Sequence, residues 1–235
     1  LCRMTTLQDL SLTELRARAV KTFRQGGGSR PDVLLVQMNG EQAILKDYGA
    51  ADPWFRRLVG PLSARREARA LKQLEGIRGV PRLLRTVGRE ALLMEYVPGM
   101  SAREVPPGGL TPLFFQQFYH LVERLHERGL AHCDLRSQGN ILVGADGEPH
   151  VVDFAAHFRR GRGWNLAARW MYNKLSEADR VAVARLKKSR APDLLTEAER
   201  WALTRDRKTA LERTARFIGK SIRNISRFLL TRRKS

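Results

Sequence analysis

Asp134, Asn140 and Asp153 are the residues whose types and spacing could do chemistry. The first two lie in His132-Cys133-Asp134-Leu135-Arg136-Ser137-Gln138-Gly139-Asn140-Ile141-Leu142-Val143, the third in Val151-Val152-Asp153-Phe154-Ala155. Asp134 is an isolated acid on a turn that follows a helix. Asn140 comes six positions later and opens a short apolar strand. A turn at Asp146-Gly147 leads to a second strand that ends at Asp153. This order suits phosphoryl transfer. One Asp faces an acceptor hydroxyl, while an Asn and a second Asp hold Mg²⁺ against an anionic donor.

The elements needed to position such residues can be read upstream. Residues 7–24 read as a helix, with Ser11 and Glu14 as a capping box and Leu7, Leu10, Leu15 and Val20 near one face. The first 24 residues are therefore expected to form an N-terminal helix. Gly26-Gly27-Gly28-Ser29 is a glycine loop. Val33–Met38 and Ala43–Tyr48 are strands joined by the hairpin turn Asn39-Gly40, and the second carries Lys46. A glycine loop and a strand lysine suit the binding of phosphates. Residues 61–75 read as a helix whose one central acid, Glu67, is the expected ion-pair partner of Lys46, with Glu75 as runner-up. Residues 81–87 and 91–97 are two further strands, and Pro98-Gly99 closes a small lobe of five strands and one helix over 25–97.

A larger, mainly helical lobe is expected over 100–204. After a Pro/Gly-rich connector, Leu113–Glu127 forms a helix with Leu113, Phe114, Phe118, Leu121, Val122 and Leu125 facing a core, stopped by Gly129. Beyond Ala155 the chain turns basic. Arg159, Arg160, Arg162, Arg169 and Lys174 are interleaved with Phe158, Trp164, Trp170 and Tyr172. Residues 176–187 and 196–204 read as helices. The segment 205–235 has the profile of a basic amphipathic interfacial helix.

Composition narrows the classes. The formal net charge is +19, which implies anionic partners. The two cysteines, Cys2 and Cys133, form no disulfide framework and no zinc-type spacing, so a reducing cytoplasm is expected. No apolar run reaches about 18 residues, and no signal-peptide pattern opens the chain.

On His132-Cys133-Asp134, Asn140, Asp153-Phe154-Ala155, Lys46 and the exit Met94-Glu95-Tyr96-Val97-Pro98-Gly99, the chain resembles the protein-kinase-like superfamily. It is most similar there to small bacterial lipopolysaccharide core sugar kinases and to atypical RIO-like kinases. The resemblance implies an α+β, two-lobed protein-kinase-like fold: a small antiparallel β lobe with one helix, and a reduced, mainly helical C-terminal lobe. It implies ATP and Mg²⁺ as cofactors. Asp134 would be the catalytic base, Arg136 would neutralise the γ-phosphate, and Lys46 and Glu67 would be the phosphate-orienting pair. Asn140 and Asp153 would be the metal ligands. Gly26, Gly27, Gly28, Ser29, Lys46 and the hinge at 94–99 (Met94, Glu95 and Val97) would hold the nucleotide. His132 would bond backbone near Asp153.

Four features depart from that pattern. Asp134 and Asn140 are separated by one residue more than is usual. Cys133 replaces the arginine that reads a phosphorylated activation loop, so no such switch is expected. Ala155 replaces a glycine. The segment after Asp153 is short, and Ala191-Pro192-Asp193 only faintly resembles the end of an activation segment. A peptide platform is therefore not expected. The leading expectation is an ATP- and Mg²⁺-dependent kinase acting on a sugar hydroxyl of a lipid-linked glycan, such as a lipopolysaccharide core. It would be peripheral to the inner face of the bacterial inner membrane and held to anionic lipid. The alternatives are a RIO-like Ser/Thr protein kinase, and a nucleotide-binding pseudokinase or membrane-associated regulatory module. No specific nucleic acid is expected as a partner.

Overall fold

The structure is a computed structural model that describes residues 6–28, 30–50, 57, 59–161 and 163–205. The described residues separate into two compact units. One comprises residues up to Lys72 together with Pro81–Tyr96. The other comprises Gln73–Val80 and the residues from Val97 onward.

The first unit is built on a five-stranded antiparallel sheet. Its strands are β1 (Ala19–Arg24), β2 (Asp32–Met38), β3 (Glu41–Asp47), β4 (Leu83–Val87) and β5 (Ala91–Glu95), in the order β1-β2-β3-β5-β4. Asn39 and Gly40 both take positive φ, which closes the β2–β3 hairpin as the Asn-Gly pair predicts. The expected helix over 7–24 is shorter. A 3₁₀ turn at Leu7–Asp9 leads into α1 (Leu12–Ala17), capped by Ser11 and Glu14, and the chain then extends into β1. Pairing along β2 overrides the helical spacing at Val20, Thr22 and Phe23, whose branched and aromatic side chains suit a strand. Val20 lies exposed on β1. Leu7, Leu10 and Leu15 are buried together against Val36, Leu45 and Leu93 of the sheet. Arg16 fixes this N-terminal segment further through a 2.6 Å bond to the buried carboxylate of Asp47. Helix α2 (Gly60–Gln73) follows β3, close to the predicted bounds, and buries Ala64, Glu67, Ala68 and Leu71.

The second unit packs α3 (Pro112–Glu127) against the long α4 (Leu166–Arg190). Thr111 caps α3, and Gly129 ends it with φ 73°. Phe114, Phe118, Leu121, Val122 and Leu125 of α3 are buried, as are Val183 and Leu186 of α4, whereas Leu113, expected in the core, lies exposed in the first turn of α3. The strands β6 (Gly99–Ser101), β8 (Ile141–Gly144) and β9 (Pro149–Val151) form a small sheet, and β7 (Leu130–Ala131) pairs with β10 (Phe158–Arg159). The helix expected over 176–187 is the second half of α4, which starts ten residues earlier behind an Asn165 cap. The helix expected over 196–204 is α5 (Glu197–Arg205), with Thr196 and Glu199 bonded as its capping box. The basic segment 206–235 lies outside the described residues.

Candidate active site

In the first unit, Lys46 sits on the middle strand of the sheet, opposite Val33 of β2 and Leu92 of β5. Alternation along β3 sends Leu45 into the apolar core and Lys46 to the other face. There its Nζ lies 2.8 Å from Oε1 and 2.7 Å from Oε2 of Glu67. Both side chains are buried, so the charges compensate one another out of water. The Tyr48 hydroxyl donates to Glu67 Oε2 at 3.3 Å. The sequence reading missed Tyr48, which begins the 3₁₀ turn Tyr48–Ala50 directly after β3, two residues beyond Lys46. Glu75, the runner-up partner, lies beyond the end of α2 in the second unit.

The glycine run forms the tip between β1 and β2. Gly27 and Arg30 exchange backbone hydrogen bonds at 3.2 and 3.1 Å, and the N–H of Gly26 donates to Asp32 Oδ1 at 2.5 Å. A Cβ on Gly26 would meet Arg30 O and Asp32 N at 3.0 Å, so a side chain there has no room. Gly28 takes a left-handed φ of 59°, which glycine adopts without steric cost. Ser29 lies outside the described residues. Met94 is buried near the end of β5, and Glu95 closes that strand. The N–H of Glu95 is donated to the Arg82 carbonyl, and its carboxylate accepts from the Arg82 N–H. Val97 opens the second unit.

In the second unit, the turn after β7 carries His132, Asp134, Arg136 and Asn140. The Asn140 Nδ2 donates to the Asp134 carbonyl at 3.0 Å and to Asp134 Oδ2 at 2.9 Å. The extra residue between them is absorbed in a 3₁₀ turn at Gln138–Asn140, so the amide still reaches the carboxylate. With its nitrogen committed to Asp134, the amide has its oxygen to offer a cation. Val152 links this loop to Asp153. Its N–H donates to the Asn140 carbonyl at 3.0 Å, and its carbonyl lies 3.1 Å from His132 Nε2. The Asp134 N–H donates to His132 Nδ1 at 3.3 Å, which assigns the ring hydrogen to Nε2 and makes Val152 O its acceptor. The His132 ring also packs on the buried Phe154, with ring centroids 4.8 Å apart. Asp134 and Arg136 are exposed, and Asp153 is half-buried.

Among the described residues, two of the three non-glycine residues with positive φ are at this site: Cys133 at 68° and Asp153 at 67°. Backbone strain of this kind is retained where surrounding bonds hold it. Ala155 lies in a 3₁₀ turn at Phe154–Ala156 and does not take positive φ, so no glycine is needed there.

Sequence reasoning missed Asp179. This buried residue of α4 accepts the N–H of His132 at 2.6 Å and that of Cys133 at 2.9 Å, and its Oδ2 lies 3.2 Å from His126 Nε2. Its signal in the sequence is an acid on the apolar stripe shared with Ala182, Val183 and Leu186. Close by, Tyr172 donates to the His126 carbonyl at 2.6 Å, and burial pushes its hydroxyl pKa up.

Among the described residues no group of three or more His, Cys, Asp and Glu side chains could hold a metal. Asn140 and Asp153 instead offer two hard oxygen donors. That suits Mg²⁺, which takes one or two protein oxygens and completes its shell with phosphate and water.

No curated protein matches the chain. Among solved structures it is similar to the Rio2 kinase–ADP/Mg²⁺–phosphoaspartate complex from Chaetomium thermophilum, at 21% identity and a TM-score of 0.58. That match covers 97% of this chain and 77% of the other. Rio2 kinase from the same organism, in a second structure, gives 20% identity and a TM-score of 0.57, with 96% and 78% covered. These likenesses establish the two-lobed, protein-kinase-like α+β fold. The family model of the RIO domain matches residues 39–160, from the β2–β3 turn through β10, which is just over half of the sequence. The chain therefore belongs to the RIO-domain family, and it is a kinase of the protein-kinase-like superfamily.

Proposed function

We propose that this protein is a RIO-like Ser/Thr protein kinase that transfers the γ-phosphoryl group of ATP to a protein hydroxyl, with Mg²⁺ as cofactor. The observation that carries this reading is the loop in which Asn140 holds the Asp134 carboxylate while Val152 ties Asp153 to the same turn, inside a matched RIO domain. In this reading Asp134 accepts the proton of the acceptor hydroxyl, and Asn140 fixes the orientation of its carboxylate. Lys46, oriented by Glu67, holds the phosphates, and Arg136 neutralises charge on the transferred group. Asn140 and Asp153 would hold Mg²⁺, which neutralises charge growing on the phosphate oxygens. Gly26, Gly27, Gly28, Ser29, Met94, Glu95 and Val97 would contact the nucleotide. The N–H of Glu95 is spent on Arg82, so its carbonyl would be the group offered to the base.

The Chaetomium Rio2 kinase has been solved with ADP, Mg²⁺ and phosphoaspartate. The corresponding product here would be an acyl phosphate on an aspartate of the chain itself. A lipid-linked sugar hydroxyl is the second reading, favoured by the exposed, basic, tryptophan-bearing start of α4. The RIO match supports a protein acceptor better.

The test incubates the purified chain with γ-labelled ATP and Mg²⁺, alone, with a generic protein and with deacylated core oligosaccharide. Acid-stable label on protein that disappears in Asp134→Asn is expected. Label confined to the oligosaccharide would move the acceptor to the sugar. Label released by hydroxylamine would place it on a carboxylate. No turnover with any acceptor would leave a nucleotide-binding module.

A further inference from the structure

We propose that the first turns of α4 form a docking surface for an anionic phospholipid bilayer. Trp164, Leu166 and Trp170 are 79%, 72% and 53% exposed. Leu166 and Trp170 are four residues apart on one helix and so share a face. Trp164 stands just before the Asn165 cap, whose Oδ1 accepts the Ala168 N–H at 2.9 Å. Three large apolar side chains in water at one helix end forgo the burial that a folded chain normally gives them.

The surrounding charge has one sign. Between Asp153 and Glu177 the sequence has no acidic residue, and it has five basic ones, Arg159, Arg160, Arg162, Arg169 and Lys174. Arg159 and Arg160 lie at β10, which packs on α4. Arg160 is placed over the Tyr172 ring, and Lys174 is bonded to Glu177 at 3.1 Å. Arg159 and Arg169 are exposed.

Tryptophan and leucine on the outside of a helix, with cations beside them, match a membrane interface. The indoles sit at headgroup level, the aliphatic side chain enters the acyl boundary, and the cations meet lipid phosphate. No helix among the described residues is long and apolar enough to cross a membrane, so the mode is peripheral. Single-stranded RNA would use the arginines and indoles as stacking platforms but has no use for Leu166. Residues 206–235 carry ten Lys and Arg against Asp206 and Glu212. Like charge opposes their covering this patch, while an anionic bilayer attracts both.

The test is flotation of the full chain with vesicles of phosphatidylglycerol and phosphatidylcholine in equal parts, compared with phosphatidylcholine alone. The wild type is expected to float only with the anionic vesicles and to have its tryptophan emission quenched by brominated lipid. Trp164→Ser with Trp170→Ser should lower partitioning roughly tenfold. Arg159→Gln and Arg169→Gln should each lower it roughly fivefold. The variants should keep the melting temperature and the vesicle-free kinase activity of the wild type, which separates this proposal from the acceptor question. Equal flotation of wild type and tryptophan variant, absence of flotation, or quenching by single-stranded RNA in place of lipid would each overturn it.

Discussion

The backbone N–H of His132 donates to Oδ2 of Asp179 at 2.6 Å, although the two residues are 47 positions apart. The same carboxylate takes the N–H of Cys133 on its other oxygen, so one buried side chain of α4 holds the turn that ends in Asp134. The position of the proposed base therefore depends on a helix that follows it in sequence.

Asp179→Asn keeps the shape but removes the charge and turns one acceptor into a donor facing an N–H. A loss of about 2–3 kcal/mol is expected in chemical denaturation, the scale for hydrogen bonds to charged groups left unsatisfied. Phosphotransfer should fall by more than roughly tenfold, because small displacements of a positioned base are costly. Full activity in a correctly folded variant would show that the turn holds its own geometry.

The Lys46–Glu67 pair separates stability from function. Removing one partner takes the opposite charge away from a buried ion, so Lys46→Met or Glu67→Leu should each cost about 3–5 kcal/mol. The double variant Lys46→Met with Glu67→Leu should recover most of that loss, because an apolar pair can fill the same space. It should nonetheless stay inactive, since no cation remains there to hold phosphate. A double-mutant cycle on urea midpoints, run beside an ATP turnover assay, checks both outcomes.

Much of this architecture could be read from residue patterns. The hairpin at Asn39-Gly40, helix α2 around Glu67, the caps at Ser11 and Thr196, and the strands leading to Asp153 all carry local signals, and the structure forms them. Residues 19–24 could not be assigned locally. Leu7, Leu10 and Leu15 extend a helical period toward Val20, and only pairing with distant β2 makes β1 a strand. Asp179 was hidden for the same reason. An acid on an apolar stripe signals a buried partner, but the partners are backbone N–H groups that sequence does not display. The RIO match changes the weight between acceptors. The short segment after Asp153 argued for a sugar, and the family favours protein.

Gln138, in the turn that absorbs the extra residue, is clamped. Arg190 Nη2 donates to its Oε1 at 3.0 Å, Ser189 Oγ accepts from its Nε2 at 2.8 Å, and Arg190 also donates to the Val105 carbonyl at 2.9 Å. Arg190→Leu should therefore loosen the Asp134–Asn140 turn. A loss of about 1.5–3 kcal/mol is expected. A rise in KM for Mg²⁺-ATP larger than the fall in stability explains would place the effect at Asn140. Unchanged kinetics would confine Arg190 to a structural part.

Arg180 binds Glu123 with two hydrogen bonds, at 2.6 and 2.9 Å. The bond from Arg180 holds the Glu123 carboxyl below its usual range against the opposing effect of burial, and the charges of Arg180 and His126 add to it. A depressed carboxyl stabilises the fold fully above its unfolded value, and that contribution is lost as pH falls through the lower folded value. Glu123→Gln should thus melt about 1–3 °C below wild type near neutrality, corresponding to roughly 0.5–1 kcal/mol for a partly exposed pair. The gap should close as the pH drops below the carboxylate range. A gap that persists in acid would assign the effect to packing.

Cys133 combines strain with function. Its φ of 68° is left-handed, which a side chain tolerates poorly, yet this conformation lets two successive N–H groups converge on one anion, here Asp179. Glycine takes the same φ without a Cβ clash. Cys133→Gly should therefore keep turnover and gain up to about 1 kcal/mol, less whatever the contact of Sγ with the Ala131 carbonyl contributes. A branched side chain has no relaxed conformer there, so Cys133→Val should lose about 1–3 kcal/mol and reproduce the kinetic defect of Asp179→Asn. Urea midpoints and turnover of the three variants decide the matter. If valine is as stable and active as cysteine, the left-handed turn does not hold Asp134, and the control of the base must be sought in the Asn140 bond instead.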